Sequence, residues 1–123
     1  MSAVFNNWCH ELHSQNLEGI LNLYDSQAVL LPTFSDILCI GIEHIKTYFV
    51  DFIKKKPRCE LVNSYQVQKD GVTIFNGFYN FRVANDLIKA RFSFIISDNG
   101  KILAHHSSLM PEIKKETSVN IKN

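Results

Sequence analysis

After residue 59 the chain is written almost entirely in alternating apolar and polar residues separated by turn signals, a pattern that demands a multi-stranded sheet. Leu61 to Gln68 runs into Lys69-Asp70-Gly71, where glycine supplies the positive φ of a tight hairpin. Thr73 to Val83 sets Phe75, Gly77, Tyr79, Phe81 and Val83 on one face. Ala84-Asn85-Asp86 turns the chain, and Ile88 to Ser97 then sets Phe92, Phe94 and Ile96 opposite Arg91, Ser93 and Ile95. Asp98-Asn99-Gly100 turns it again into a last strand, Lys101 to Ser108. A meander of four such strands has a large apolar face that another layer must cover.

The cover comes from the first half. Phe5, Trp8, Cys9 and Leu12 form one helical stripe; Leu17, Ile20, Leu21 and Tyr24 form a second, shorter one, with Asn16 as its N-cap. Ala28-Val29-Leu30-Leu31 is an apolar run stopped by Pro32 and reads as a buried strand. Thr33 to Gly41 reads as a loop. Ile42, Ile45, Phe49, Phe52 and Ile53 then mark the buried face of a helix over 42–56, ended by Pro57 because the residue before a proline is pushed out of helical geometry. Helices first and strands later predict an α+β fold, a curved antiparallel sheet wrapped around the helices. Residues 1–112 read as a single domain and 113–123 as a polar, mobile tail. The sheet face turned away from the helices also carries aromatics, and a homodimer joined through the sheet accounts for them.

Composition narrows the partners. Thirteen basic residues against 12 acidic ones leave a net charge of +1, which gives no electrostatic case for nucleic acid or an anionic membrane. The run Lys54-Lys55-Lys56-Pro57-Arg58 reads as a solvated helix end, where cations favour the negative end of the macrodipole. No apolar stretch reaches the ~20 residues that span a bilayer. Met1 to Leu12 lacks the basic-then-apolar order of a leader, so the expected location is the cytoplasm. Cys9, Cys39 and Cys59 are odd in number and lack metal-type spacing, so neither a disulfide framework nor a metal site is expected, and no cofactor is implied.

Among polar residues, Arg91 stands out, because its strand neighbours are Ala90, Phe92 and Phe94. Burying a guanidinium without a partner costs several kcal/mol. It therefore lies on an exposed strand face, in an internal ion pair, or against an anionic ligand. His105 and His106 point to opposite faces of the last strand, so at most one enters a given cavity. His106 shares its face with Ala104 and Ser108 and reads either as a pocket acid–base group or as a histidine satisfied by Ser108 or a carbonyl. Tyr24, Tyr48 and Tyr79 each combine a packing ring with a hydroxyl, and Tyr48, beside the buried face of the long helix, points most to a pocket. Trp8 reads as a core anchor.

In their order, these pieces resemble the nuclear transport factor 2-like, or cystatin-like, superfamily, whose fold is a cone-shaped sheet. Tyr24-Asp25-Ser26-Gln27-Ala28-Val29-Leu30-Leu31-Pro32-Thr33 is similar to a segment of bacterial SnoaL-like proteins, and Gly41 to Phe49 is similar to the helix start that follows it. Gly77 to Phe81, Lys89 to Phe94 and Gly100 to Pro111 extend the resemblance over residues 5 to 112. The ending His105-His106-Ser107-Ser108 through Pro111 is similar to that of the association domain of calcium/calmodulin-dependent protein kinase II. The resemblance implies a cone cavity and commonly a homodimer. It favours the pocket for Arg91, and it matches His106 to the family histidine that precedes a serine. Some relatives are isomerases, dehydratases or cyclases; others bind a ligand or assemble complexes, so the fold alone does not name a function. Ketosteroid isomerase-like relatives need a carboxylate at the end of the first strand, where this chain has Leu30-Leu31-Pro32. The resulting expectation is a homodimer binding an unidentified small molecule, anionic if Arg91 anchors it, through Arg91, His106, Tyr48, Tyr24, Ser108 and Tyr79. An enzyme using His106 as acid–base and a pure oligomerisation module are the alternatives.

Overall fold

A computed structural model describes residues 2–112; the tail 113–123 lies outside the described residues. Helix α1 (Ala3–His13) starts where the Ser2 hydroxyl accepts the Phe5 N–H at 3.2 Å, and it buries Phe5, Trp8 and Leu12. Helix α2 (Leu17–Leu21) starts where the Asn16 side chain accepts the Gly19 N–H at 3.1 Å. Strand β1 (Tyr24–Leu31) is longer than its apolar run. It takes in Asp25, Ser26 and Gln27 through a register shift between Tyr24 and Val29. The segment expected as loop contains a two-residue strand, β2 (Cys39–Ile40), paired with β1. Gly41, at φ +84°, launches α3 (Ile42–Phe52), which continues as one 3₁₀ turn over Ile53–Lys55.

Strands β3 (Arg58–Lys69), β4 (Val72–Val83), β5 (Asp86–Ser97) and β6 (Ile102–Leu109) follow as the predicted meander. The sheet runs β2-β1-β6-β5-β4-β3 and curves around the helices without closing, leaving β2 and β3 as edges. The fold is thus the expected α+β cone. One detail differs: β1 and β6 are parallel, so the sheet is mixed rather than wholly antiparallel. Parallel neighbours need a long crossover, and α3 with the whole meander supplies it.

The concave face holds the core. Phe5 packs on Phe75 and Phe92 with ring centroids 5.3 and 5.5 Å apart, Trp8 stacks on Tyr79 at 5.9 Å, and Phe52 meets Phe81 edge-on at 5.6 Å. Among the described residues no helix is long and apolar enough to cross a membrane.

Gly77 is fixed by a close approach. Strand β3 bulges between Leu61 and Asn63, and a Cβ on Gly77 would stand 2.1 Å from the Asn63 carbonyl oxygen and 2.9 Å from the Ser64 Cα. Those are backbone atoms of a paired strand and cannot swing aside. At Gly19 a Cβ would meet only the side-chain ends of Glu11 and Asn16. We expect Gly77→Ala to lower stability by about 2 kcal/mol and Gly19→Ala to be close to neutral, both read by urea denaturation.

Candidate functional site

Polar side chains from α1, β1, β4, β6 and the segment after β1 converge inside the cone. The β5–β6 register sets His105 opposite Phe94 and Ser107 opposite Phe92, so both face the core. Tyr24, Tyr79 and Trp8 are buried beside them. Phe94 stacks on the His105 imidazole with centroids 3.9 Å apart.

The hydrogens of this cluster fit an arrangement in which each donor from Trp8 to Ser107 is used once. The Trp8 indole can only donate, and it donates to the Tyr24 hydroxyl oxygen at 3.1 Å. The Tyr24 O–H donates to Nδ1 of His105 at 2.8 Å, which leaves the imidazole proton on Nε2 to donate to the Tyr79 hydroxyl oxygen at 3.2 Å. Tyr79 in turn donates to Ser107 Oγ at 2.5 Å, and Ser107 to Thr33 Oγ1. This requires a neutral His105. Burial, aided by the nearby His106, pushes its pKa down to about 3. Burial likewise drives the hydroxyls of Tyr24, Tyr79 and Tyr48 well above the usual tyrosine range, so they remain protonated donors.

The interior is otherwise full. The space between Trp8, Leu30, Thr33, Tyr79, Phe81 and His105 amounts to about 10 Å³, room for at most one water. A larger groove of about 280 Å³ opens outside it, between α3 and the 33–39 segment. Phe34, Tyr48 and Phe52 border both spaces and separate them. His44, Thr47, Asp51 and Lys55 supply the polar groups of the groove, and Lys55 Nζ stands 5.9 Å above the Phe34 ring.

The residues singled out in the sequence therefore fall into three places. Tyr24 and Tyr79 meet in the interior around a histidine, but that histidine is His105. Tyr48 lies at the border between interior and groove. Arg91, His106 and Ser108 sit on the outer sheet face, not in the cone: Arg91 is exposed, with Nε 3.4 Å from Ser108 Oγ, and His106 pairs across to Ser93. Exposure removes the need for a buried counter-ion at Arg91. Sequence reasoning missed Thr33, Ser107 and Phe34. For Ser107 the available signal was its spacing of two from His105, which places both on one strand face.

No family model and no curated protein sequence matches the chain. Solved structures do. A putative calcium/calmodulin-dependent protein kinase II association domain from Xanthomonas campestris shares 32% identity with a TM-score of 0.83, over 90% of this chain and 86% of that one. The chain belongs to the nuclear transport factor 2-like superfamily, on the branch related to that association domain. A superfamily protein of unknown function from Pseudomonas putida has the same fold at 10% identity and a TM-score of 0.79, over 93% of this chain and 86% of that one. So does the epoxide hydrolase/cyclase-like enzyme SalBIII, at 12% identity and a TM-score of 0.71, over 87% and 88% of the two chains. Superfamily membership agrees with the cone.

Two outcomes follow for the interior. Tyr79→Phe strands the His105 N–H in the core and should cost about 1–3 kcal/mol, measured by chemical denaturation. As pH falls below 6.5 the unfolded chain takes up a proton at His105 that the folded chain refuses until about pH 3. Stability conferred by the neutral imidazole is therefore full above pH 6.5 and lost through that window. From pH 7 to 5 the loss should be about 2 kcal/mol, and the dependence should flatten in His105→Gln.

Proposed function

We propose that this chain is a homodimeric ligand-binding domain, in which the outer sheet face joins two copies and the groove beside α3 takes a small, partly aromatic molecule. One observation carries the reading: the outer face bears apolar side chains on five of its six strands, around a polar centre. The register aligns Tyr65 and Val67 of β3, Ile74 and Phe78 of β4, Ile95 of β5, Leu31 and Val29 of β1 and Ile40 of β2 on that side. Tyr65 is 75% exposed and Ile40 64%. Exposed apolar side chains gathered on one face in this way mark an interaction site. Arg91, Ser93, His106 and Ser108 lie in its middle and offer polar pairing across the joint. Their expected role at a ligand thus becomes a role at the partner. The likeness to a putative association domain supports assembly as well.

The groove supports the ligand half of the reading. At about 280 Å³ it sits just under the roughly 300–1,000 Å³ of small-molecule pockets, so a ligand of one or two rings fits. The aromatic floor of Phe34, Tyr48 and Phe52 favours a flat apolar body. Lys55 favours an anionic end directed away from Asp51. Acid–base catalysis is the weaker reading, since the interior histidine is neutral, fully hydrogen-bonded and has no substrate-sized space beside it.

Light scattering at micromolar concentration should give twice the 14.1 kDa chain mass, and Phe78→Asp should shift it toward one chain. A wild-type particle of single-chain mass would refute the dimer. Calorimetric titration with 2-naphthoate should show binding that Tyr48→Ala weakens about tenfold, a loss of about 1.4 kcal/mol. Absence of heat at millimolar naphthoate would refute the groove.

A further inference from the structure

Two cysteines separated by most of the helical half of the sequence end up side by side. Cys9 lies on α1 next to Trp8, and Cys59 lies near the start of β3, opposite Phe81 and so directed inward. Helix α1 packs against β3. Both thiols are free and half-buried, and both line one depression of about 460 Å³ together with His10, His13, Arg58, Glu60 and Arg82. Glu60 forms an ion pair with Arg82 at 3.6 Å, while Arg58 is exposed at the rim. The depression is therefore open to small molecules and weighted toward positive charge. Cys39, by contrast, is buried beside β1 and lines a different space.

We propose that Cys9 and Cys59 are a reversible disulfide pair, oxidised by a small anionic disulfide that enters this depression, and that the bond locks α1 onto β3. The order of events follows from the environment. The adjacent Cys9 thiol, then burial, pushes the Cys59 thiol up, so Cys59 stays protonated and the first attack falls to Cys9. The Cys9 thiolate attacks one sulfur of the small disulfide, forming a mixed disulfide and releasing one small thiol. Cys59 then gives up its proton and attacks the Cys9 sulfur, releasing the second small thiol. The chain loses two electrons and two protons; the small disulfide gains them. The carboxylates of a glutathione-type disulfide match the Arg58 and Arg82 rim. Trp8, the neighbour of Cys9, starts the interior hydrogen-bond chain, so the bond holds in place the helix on which that chain depends.

The test uses the folded chain incubated with oxidised glutathione, followed by intact mass, alkylation and peptide mapping. The expected product is lighter by two hydrogens and yields a Cys9–Cys59 cross-linked peptide. Cys39 remains free to alkylate after denaturation, the melting temperature rises, and dithiothreitol reverses every change. Cys59→Ser should trap glutathione on Cys9, and Cys9→Ser should abolish the cross-linked peptide. Glutathione retained on both cysteines of the wild-type chain, or a bridge to Cys39 or to a second chain, overturns the proposal. The wild-type mapping decides the matter even if either variant fails to fold.

Discussion

A neutral histidine held between two tyrosine hydroxyls is the contact through which the layers of this fold are joined. Through Trp8 it reaches α1; through Tyr24, β1; through Tyr79, β4; and through Ser107, the segment at Thr33. In a low-dielectric interior such a network stabilises only when complete, because each orphaned donor costs more than a finished bond contributes. Here the aromatic rings exclude water from the cluster and the cluster satisfies every polar atom they enclose. The rings and the hydrogen bonds depend on each other.

That interdependence explains why the molecule's capacity for interaction lies on its surfaces. The concave face spends its aromatic residues on packing and its polar residues on one another. Among the described residues the convex face has no covering layer, and it exposes Tyr65, Ile74, Phe78 and Ile40. Between them, the α3 groove borders the interior through three shared rings, so a ligand there would touch the back of the core without entering it.

Much of this was readable from residue types. The stripes of α1 and α3, the turn at Asp70-Gly71 and the strand alternation appear in the structure where the pattern puts them. Alternation alone also separates Arg91 from Phe92 and Phe94; the family likeness pulled it toward the pocket, and the simpler physical reading holds. His106 is more instructive. With Ile96 opposite Ile102, an unbroken register would set His106 opposite Phe92, inside the core. A bulge at Leu103 adds one residue to β6 and turns His105 inward instead. No local signal marks that bulge. The parallel pairing of β1 with β6 and the meeting of Cys9 with Cys59 are equally hidden, because each joins segments far apart in sequence.

The hydrogen-bond chain also has a sense. An indole nitrogen cannot accept, so Trp8 is a fixed donor at one end, and in the arrangement above every hydroxyl behind it points the same way. Their dipoles add along one line from α1 toward the segment after β1, with the positive end at Thr33. In that arrangement the Thr33 hydroxyl accepts from Ser107, and its own hydrogen is not used within the line. It is flanked in sequence by Phe34, which lines the groove. In that arrangement the interior polarises the mouth of the cone, with a tryptophan as the fixed donor at the opposite end of the line.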